Sequence, residues 1–521
     1  MRFLGRSWRS VGFGAAWALA WVVGLAAPGL AAAQPQAPRA NILFILVDDM
    51  DLALLKNMPR LKNLLTDRGV EFQNNLVSTP LCCPSRAATL RGQFAHNTGM
   101  FTSHWPDGGY LKFNRDGLEN STVATWLQGA GYRTALIGKY INGYPSTETG
   151  PSYIPPGWNH WFVPNGGTPY DSYRYRVNFN GRTLSYGSDP ASHINDVLLG
   201  QANSFLRSAA ADAPDKPFFL YLAPYLPHGP AIAPPRYLDR LPGIRAPRPP
   251  SFNEADMSDK PHWAQFVKPL TAADIADIDT FYRKRRQSIM AVDDFVASLV
   301  RTLQDTGELA NTYIFFTSDN GFHQGQHRLK AGKGWPYEED IRVPLIVRGP
   351  GIPAGRKVAQ LSGNVDYAPT FAAIAGIQPP DFVDGRSLLP LFSGAAPARW
   401  RQVFLLEGPT SSEGSGAEMV TEASLLEPKD AQAAAAEAAP KVWKNHIYRG
   451  LRIQSNHTFT RYENGDGEFY DMNLDPFQLT NRYRTMPAGL KAALNAQLTT
   501  LRGAAGQALR NAEETLPAAL R

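Results

Sequence analysis

The sequence predicts an α/β chain: a large mixed, mainly parallel sheet flanked by helices, followed by a smaller C-terminal antiparallel sheet plus helix. Three observations carry this reading. Asn41 to Val47 is an apolar run without alternation, the pattern of a strand covered on both faces in a parallel sheet. Thr312 to Thr317 repeats it far downstream, with shorter strand-like runs at Thr134 to Ile137 and Phe218 to Leu222 between them. From Ile447 to Tyr470 the pattern changes to alternation, interrupted by the hairpin signal Asn464-Gly465-Asp466-Gly467.

Taken in chain order, Arg2, Arg6 and Arg9 precede an apolar stretch from about Val11 to Leu30 and a small-residue site, Ala31-Ala32-Ala33. Residues 1–33 therefore read as a secretory signal peptide, with Gln34 as the mature start. The apolar stretch is nearly long enough to span a bilayer, but the cleavage site and the Pro-rich Gln34 to Pro38 favour removal. The expected product is exported, periplasmic or secreted, with no membrane attachment once the signal is gone. With 52 Lys+Arg against 46 Asp+Glu the net charge is +6, and removing the three signal arginines leaves +3, too mild for a nucleic-acid footprint but compatible with an anionic substrate. Residues 39–396 are expected to form the main α/β domain and 397–521 a smaller C-terminal subdomain. Within the latter, 408–440 is rich in Ser, Gly, Glu and Ala and reads as a surface insertion.

Each long apolar run ends abruptly in oxygen-bearing side chains. The first runs into Asp48-Asp49-Met50-Asp51 and the second into Ser318-Asp319-Asn320-Gly321. Alone, either ending reads equally as a turn or a helix cap. In open α/β sheets, however, chemistry gathers at the carboxyl ends of strands, where two such endings can meet and hold a hard cation. Asp51 lies beyond this set and reads as solvated or capping.

The two cysteines are adjacent, in Leu81-Cys82-Cys83-Pro84-Ser85-Arg86, followed by Ala87-Ala88-Thr89-Leu90-Arg91-Gly92. A bridge between neighbours would restrict the unfolded chain little, and metal or dithiol motifs need spaced cysteines. Buried thiols or a redox pair remain the plain alternatives. The string closely resembles the type I sulfatase signature of the alkaline phosphatase superfamily. That resemblance implies an alkaline-phosphatase-like fold in which Cys82 is oxidised during export to formylglycine by a sulfatase-maturing enzyme. The aldehyde's hydrate is then the nucleophile: one hydroxyl attacks sulfur, the alcohol leaves, and the other hydroxyl expels sulfate.

The resemblance also implies a metal set of Asp48, Asp49, Asp319 and Asn320, completed by modified Cys82. Such an oxygen shell suits Ca²⁺, with Mg²⁺ as the smaller alternative. Arg86 is expected to hold the hydrate and the anion in register, while Lys139, after the strand-like Thr134 to Gly138, and Lys333 in Ala331-Gly332-Lys333 grip sulfate oxygens. His228, in Pro227-His228-Gly229-Pro230, is expected to donate a proton to the departing oxygen. His96, His323 and His327 sit in similar strings with less definite roles. Many of these enzymes carry a histidine two residues after the first lysine; here Ile141 stands there, leaving Asn142 or His323 to contact the hydrate.

Gly138-Lys139-Tyr140-Ile141-Asn142 and Ala95-His96-Asn97 are similar to the subgroup acting on 6-O-sulfated glucosamine, so a sulfated small molecule or glycan is the expected substrate, with an aryl sulfate as a further option. Phosphonate and phosphodiester hydrolases of the superfamily share the cysteine signature and form the second reading. A non-catalytic sulfoglycan-binding protein with unmodified Cys82 is the third, and the set Arg86, Lys139, His228 and Lys333 argues against it.

Overall fold

A strand that is apolar on both faces needs cover on both, and the fold supplies it. The computed structural model describes residues 39–394, 397–408 and 447–520. Ten strands form one sheet: β1 (Asn41–Val47), β2 (Val70–Leu76), β3 (Arg133–Gly138), β4 (His160–Gly167), β5 (Tyr175–Phe179), β6 (Arg182–Ser185), β7 (Phe218–Ala223), β8 (Thr312–Ser318), β9 (Leu345–Arg348) and β10 (Arg356–Gly363). Their spatial order is β10-β2-β9-β8-β1-β7-β3-β4-β5-β6. Neighbours from β8 to β4 are parallel, as are β10 and β2, while β9 and β5 run against their neighbours. The expected mixed, mainly parallel sheet is thus present.

Successive side chains of β1 enter opposite cores, as a period of two requires. Leu43, Ile45 and Val47 pack with helices α2 (Ile194–Asp212) and α3 (Ala272–Asp305) through Leu198, Phe205, Ile289 and Val292. Ile42, Phe44 and Leu46 face α1 (Cys82–Arg91) and α4 (Tyr367–Ile374) through Ala87, Leu90, Tyr367 and Phe371. α3 starts in a reciprocal cap: Asp274 N donates to Thr271 Oγ1 and Thr271 N to Asp274 Oδ2, at 3.2 and 2.9 Å.

The smaller sheet, β11 (Val403–Glu407), β12 (Tyr448–Ile453), β13 (His457–Tyr462) and β14 (Gly467–Asp471), is antiparallel in sequence order. Its apolar face shares a core with the large sheet, Phe404 and Leu451 lying in one cluster with Leu76, Phe94 and Val365. Two helices, α5 (Ala488–Arg502) and α6 (Gly506–Glu513), close this core where a single helix was expected. The break has a cause: Gly506 adopts φ +54° and its N–H donates to Asp384 Oδ1 at 2.7 Å, so the chain turns to meet the half that carries the large sheet. The alternating stretch holds two hairpins: besides the one at Asn464 to Gly467, an earlier one turns at Asn456 with φ +66°. The signal peptide and residues 409–440 of the expected insertion lie outside the described residues. Among the described residues no helix is long and apolar enough to cross a membrane.

Candidate active site

Register brings the expected residues together. Val47 pairs with Ser318, Ile45 with Leu222, and Gly138 with Ala223, so β8, β1, β7 and β3 release Asp319, Asp48, the segment leading to His228, and Lys139 along one edge. Gly138 is needed there: its φ is +112°, and a Cβ would lie 2.0 Å from the Ala223 carbonyl oxygen.

The Asp48-Asp49 turn is sharp. Asp49 has φ +61°, a conformation Asp tolerates better than most residues. Its N–H donates to Asp319 Oδ1 at 3.1 Å, and Met50 N–H donates to Ser318 Oγ at 2.8 Å, joining the two strand ends. Asp51 caps the short helix Leu52–Leu55, accepting from Ala53 N and Leu54 N.

Cys82 is the first residue of α1, because Leu81 is still extended and serves as the cap. All ten residues of α1 are buried. Asn364 fixes the helix, its Nδ2 donating to Ser85 Oγ at 2.9 Å while its Oδ1 accepts from Ser78 N at 3.1 Å. Cys82 Sγ lies 3.5 Å from Asp48 Oδ1, 3.9 Å from Asp49 Oδ1 and 2.8 Å from Lys333 Nζ. Burial pushes its thiol well above the ordinary cysteine value, against the pull of Lys139 and Lys333. A thiol so held is no thiolate nucleophile near neutral pH.

Cations pair with every acidic group. Arg86 Nε donates to Asp319 Oδ2 at 2.9 Å, its Nη2 lies 2.8 Å from the same oxygen, and its Nη1 donates to the Lys139 carbonyl at 2.9 Å. Lys139 Nζ meets Asp48 Oδ2 at 2.8 Å, and Lys333 Nζ meets Asp49 Oδ1 at 2.6 Å. Burial alone would raise the Asp48 and Asp49 pKa values, but Lys139 beside the first and Lys333 beside the second outweigh it and hold both carboxyls low. Burial, reinforced by Asp48, leaves Asp319 above its usual value. His228 Nε2 is 3.5 Å from Asp49 Oδ2, and its Nδ1 lies 2.7 Å from the Gly229 carbonyl. A carbonyl only accepts, so Nδ1 carries hydrogen and Nε2 is the nitrogen presented to the site.

These residues fit a hard cation. Ligand atoms of Asp48, Asp49, Cys82 and His228 lie within 4.8 Å of one another. Asn320 Nδ2 donates to Asp49 Oδ1 at 2.7 Å, whereas its buried Oδ1 has no hydrogen-bond partner. A buried amide oxygen left unpaired is costly, and a cation beside Asp49 would satisfy it.

Of the other histidines, His96 turns to Glu407 and the Ala504 carbonyl, at the junction with the smaller sheet. His327 Nδ1 pairs with Glu254 Oε2 at 2.6 Å and its ring stacks on Tyr337. His323 Nδ1 pairs with Asp340 Oδ1 at 2.9 Å, while its Nε2 lies 3.0 Å from where a Cβ on Gly332 would stand, beside Lys333. Ile141 is buried in the apolar core and Asn142 is also buried. Tyr170 was not anticipated: its ring centroid is 5.1 Å from Lys139 Nζ and 4.7 Å from the His228 ring. It lies in the single 3₁₀ turn Pro169–Asp171 that follows β4, which has no periodic sequence signal. Two surface cavities, about 210 and 480 Å³, lie on the C-terminal half and include none of these residues.

A family model described as Sulfatase matches residues 40–377. The chain belongs to the sulfatase family. It is a sulfuric ester hydrolase, as the cysteine string implied. Human N-acetylglucosamine-6-sulfatase is 33% identical over 91% of this sulfatase and 86% of the human protein. The extracellular sulfatase SULF-1 homolog of Drosophila melanogaster is 38% identical over 74% of this chain, which spans only 34% of the fly protein's length. A protein solved in complex with its substrate D-glucosamine-2-N,6-O-disulfate shares the fold, with a TM-score of 0.69, 24% identity, and coverage of 88% of this chain and 97% of that one.

Proposed function

We propose that this sulfatase is exported and removes a sulfate ester from a sulfated amino sugar, using formylglycine derived from Cys82. The observation that carries the reading is the placement of Lys333 Nζ 2.8 Å from Cys82 Sγ, in a cluster whose thiol is itself unsuited to attack. Sγ stands where the oxygens of the oxidised residue would branch from Cβ.

Formal charge favours an anionic substrate. Asp48, Asp49 and Asp319 balance Arg86, Lys139 and Lys333, so a divalent cation leaves the site with a positive excess. Asp48, Asp49, Asp319 and Asn320 would hold Ca²⁺, or Mg²⁺ in its place, supplying positive charge against the sulfate oxygens and the hydrate of residue 82. Lys139 and Lys333 contribute compact ammonium charges that are already oriented by Asp48 and Asp49, so little reorganisation accompanies the transition state. Arg86 has its fork committed to Asp319 and the Lys139 carbonyl, and it acts by keeping helix, metal loop and lysine in register. His228, its Nδ1 fixed by the Gly229 carbonyl, offers Nε2 to protonate the leaving alcohol.

The names of the human and fly relatives, and the disulfated glucosamine in the structural relative, support an amino-sugar 6-sulfate and an extracytoplasmic location. The test has two parts on protein from the native host. Mass spectrometry of the peptide containing Cys82 should show CHO in place of CH₂SH, and an intact thiol throughout would point to the binding-protein reading. Turnover of glucosamine-6-sulfate should exceed that of 4-nitrophenyl sulfate and of a phosphodiester. A phosphodiester or phosphonate preferred over all sulfates would overturn the assignment.

A further inference from the structure

The apolar stripe of α3 contains a charge. Ile278, Tyr282, Arg285, Ile289, Val292, Val296, Leu299 and Leu303 follow steps of three and four, and all are buried, Arg285 completely. An arginine there loses its hydration, a cost an apolar residue would avoid, so its contacts must specify something. Arg285 Nη2 donates to the Asp49 carbonyl oxygen, and Nη1 lies 2.9 Å from Asp51 Oδ2. One guanidinium thereby grips both sides of Met50, in the turn where Asp49 holds φ +61°. Its Cζ lies over the ring of Phe322, two residues beyond Asn320, at 4.4 Å from the ring centre. The same side chain therefore ties the Asp48-Asp49 loop to the Asp319-Asn320 loop without touching a ligand carboxylate.

We propose that Arg285 is a positioning residue for the divalent cation: it holds Asp49 left-handed and sets the spacing of the two ligand loops. The proposal rests on the cation reading given above. Lysine cannot substitute fully, because its compact ammonium lacks the planar fork that sets two acceptors apart and the delocalised guanidinium that packs on a ring.

The test is calorimetric titration of Ca²⁺, and separately Mg²⁺, into EDTA-stripped full-length protein, alongside thermal melts with and without the ion. Arg285→Gln alone strands the Asp51 carboxylate, so it is paired with Asp51→Asn; Arg285→Lys retains the charge and serves as the second variant. Losing a supporting residue behind a ligand typically weakens metal binding about 10–100-fold, and that loss is expected for the double variant, with Arg285→Lys intermediate. The ion-induced rise in Tm should shrink accordingly, while a purely structural role would lower the ion-free Tm and leave affinity unchanged. Wild-type affinity in Arg285→Lys, or in the folded double variant, overturns the proposal. Wild-type protein that binds neither ion overturns the cation reading and this proposal together, a result distinct from equal binding by all variants.

Discussion

Replacing Lys333 by Met tests the charge logic of the site most directly. Lys333 Nζ sits 2.6 Å from Asp49 Oδ1 and 2.8 Å from Cys82 Sγ, and its side chain is buried. Burial disfavours the ammonium, but Asp49 and its neighbours outweigh that and keep the pKa above the ordinary lysine value, so the charge is permanent over any working pH. A full charge acting across 2.8 Å at an effective dielectric of ~20 amounts to about 6 kcal/mol. If half a unit of charge develops on the oxygens in reach, the share specific to the transition state is about 3 kcal/mol, roughly a hundredfold in rate. The variant should therefore lose about 10²–10³ in kcat, with kcat/KM falling in parallel because the interaction grows only as the reaction proceeds. Kinetics on glucosamine-6-sulfate read this, once mass spectrometry shows equal oxidation of Cys82 in both proteins and melts show that the variant, with Asp49 now lacking its lysine, is folded. A loss below about fivefold, or a rise in KM at constant kcat, would refute the reasoning.

His228→Gln should cost about 10²–10⁴ on a sugar sulfate but less than about tenfold on 4-nitrophenyl sulfate, whose leaving group departs without a proton; equal losses on both would remove His228 as the acid. Arg401 is buried and pairs with Asp366 at 2.6 Å and Glu513 at 2.8 Å, so Arg401→Met should destabilise the fold by about 3–5 kcal/mol in urea titrations. Neutralising both carboxylates in the same chain should recover most of that loss. For His96, burial opposes the imidazolium but Glu407 outweighs it and raises the pKa above 6.5; for Glu407, burial is outweighed by His96 and the pKa falls below 4.5. The His96 share of stability is whole below pH 6.5 and fades as pH rises through its folded value, whereas the Glu407 share is whole above pH 4.5 and fades as pH falls through its folded value. His96→Ala should therefore cost about 1–2 kcal/mol near pH 5.5 and progressively less in alkali, and a loss independent of pH would contradict the pairing.

How much of this was legible depended on whether one residue's neighbours lay near it in the chain. β1 and β8 could be read because a buried parallel strand shows an unbroken apolar run, and their acidic endings marked the site before any pairing was known. β6 is exposed along its whole length and β4 carries Pro164 and two glycines, so neither has a periodic signature. The strand order, which alone places Lys139 next to Asp48, follows from packing between segments about ninety residues apart and leaves no local trace. Arg285 differs from Tyr170 in this respect. Its phase within the apolar stripe of α3 is readable from sequence, whereas its acceptors on Asp49 and Asp51 are remote in the chain and leave no local trace.

The smaller sheet explains how Lys333, on an irregular segment rather than at a strand end, is held as firmly as Lys139. Leaving Lys333, the chain passes Trp335, which stacks on Trp263 with ring centroids 4.1 Å apart. Tyr337 Oη then donates to Glu468 Oε1 of β14 at 3.0 Å, Glu338 N donates to Gln478 Oε1 at 2.9 Å, and Glu338 Oε1 accepts from Arg452 Nε of β12 at 2.8 Å. Glu468 is buried and also accepts from Tyr462 and Tyr470, so the anchor is rigid in its turn. A lysine on a loop would ordinarily pay rotamer entropy each time it met the substrate. Here three contacts from the C-terminal half restrict the segment that follows it, and Asp49 fixes the ammonium itself. With Lys333 in its proposed role, the second sheet supports the catalytic apparatus by packing, although none of its residues lies in the cluster around Cys82.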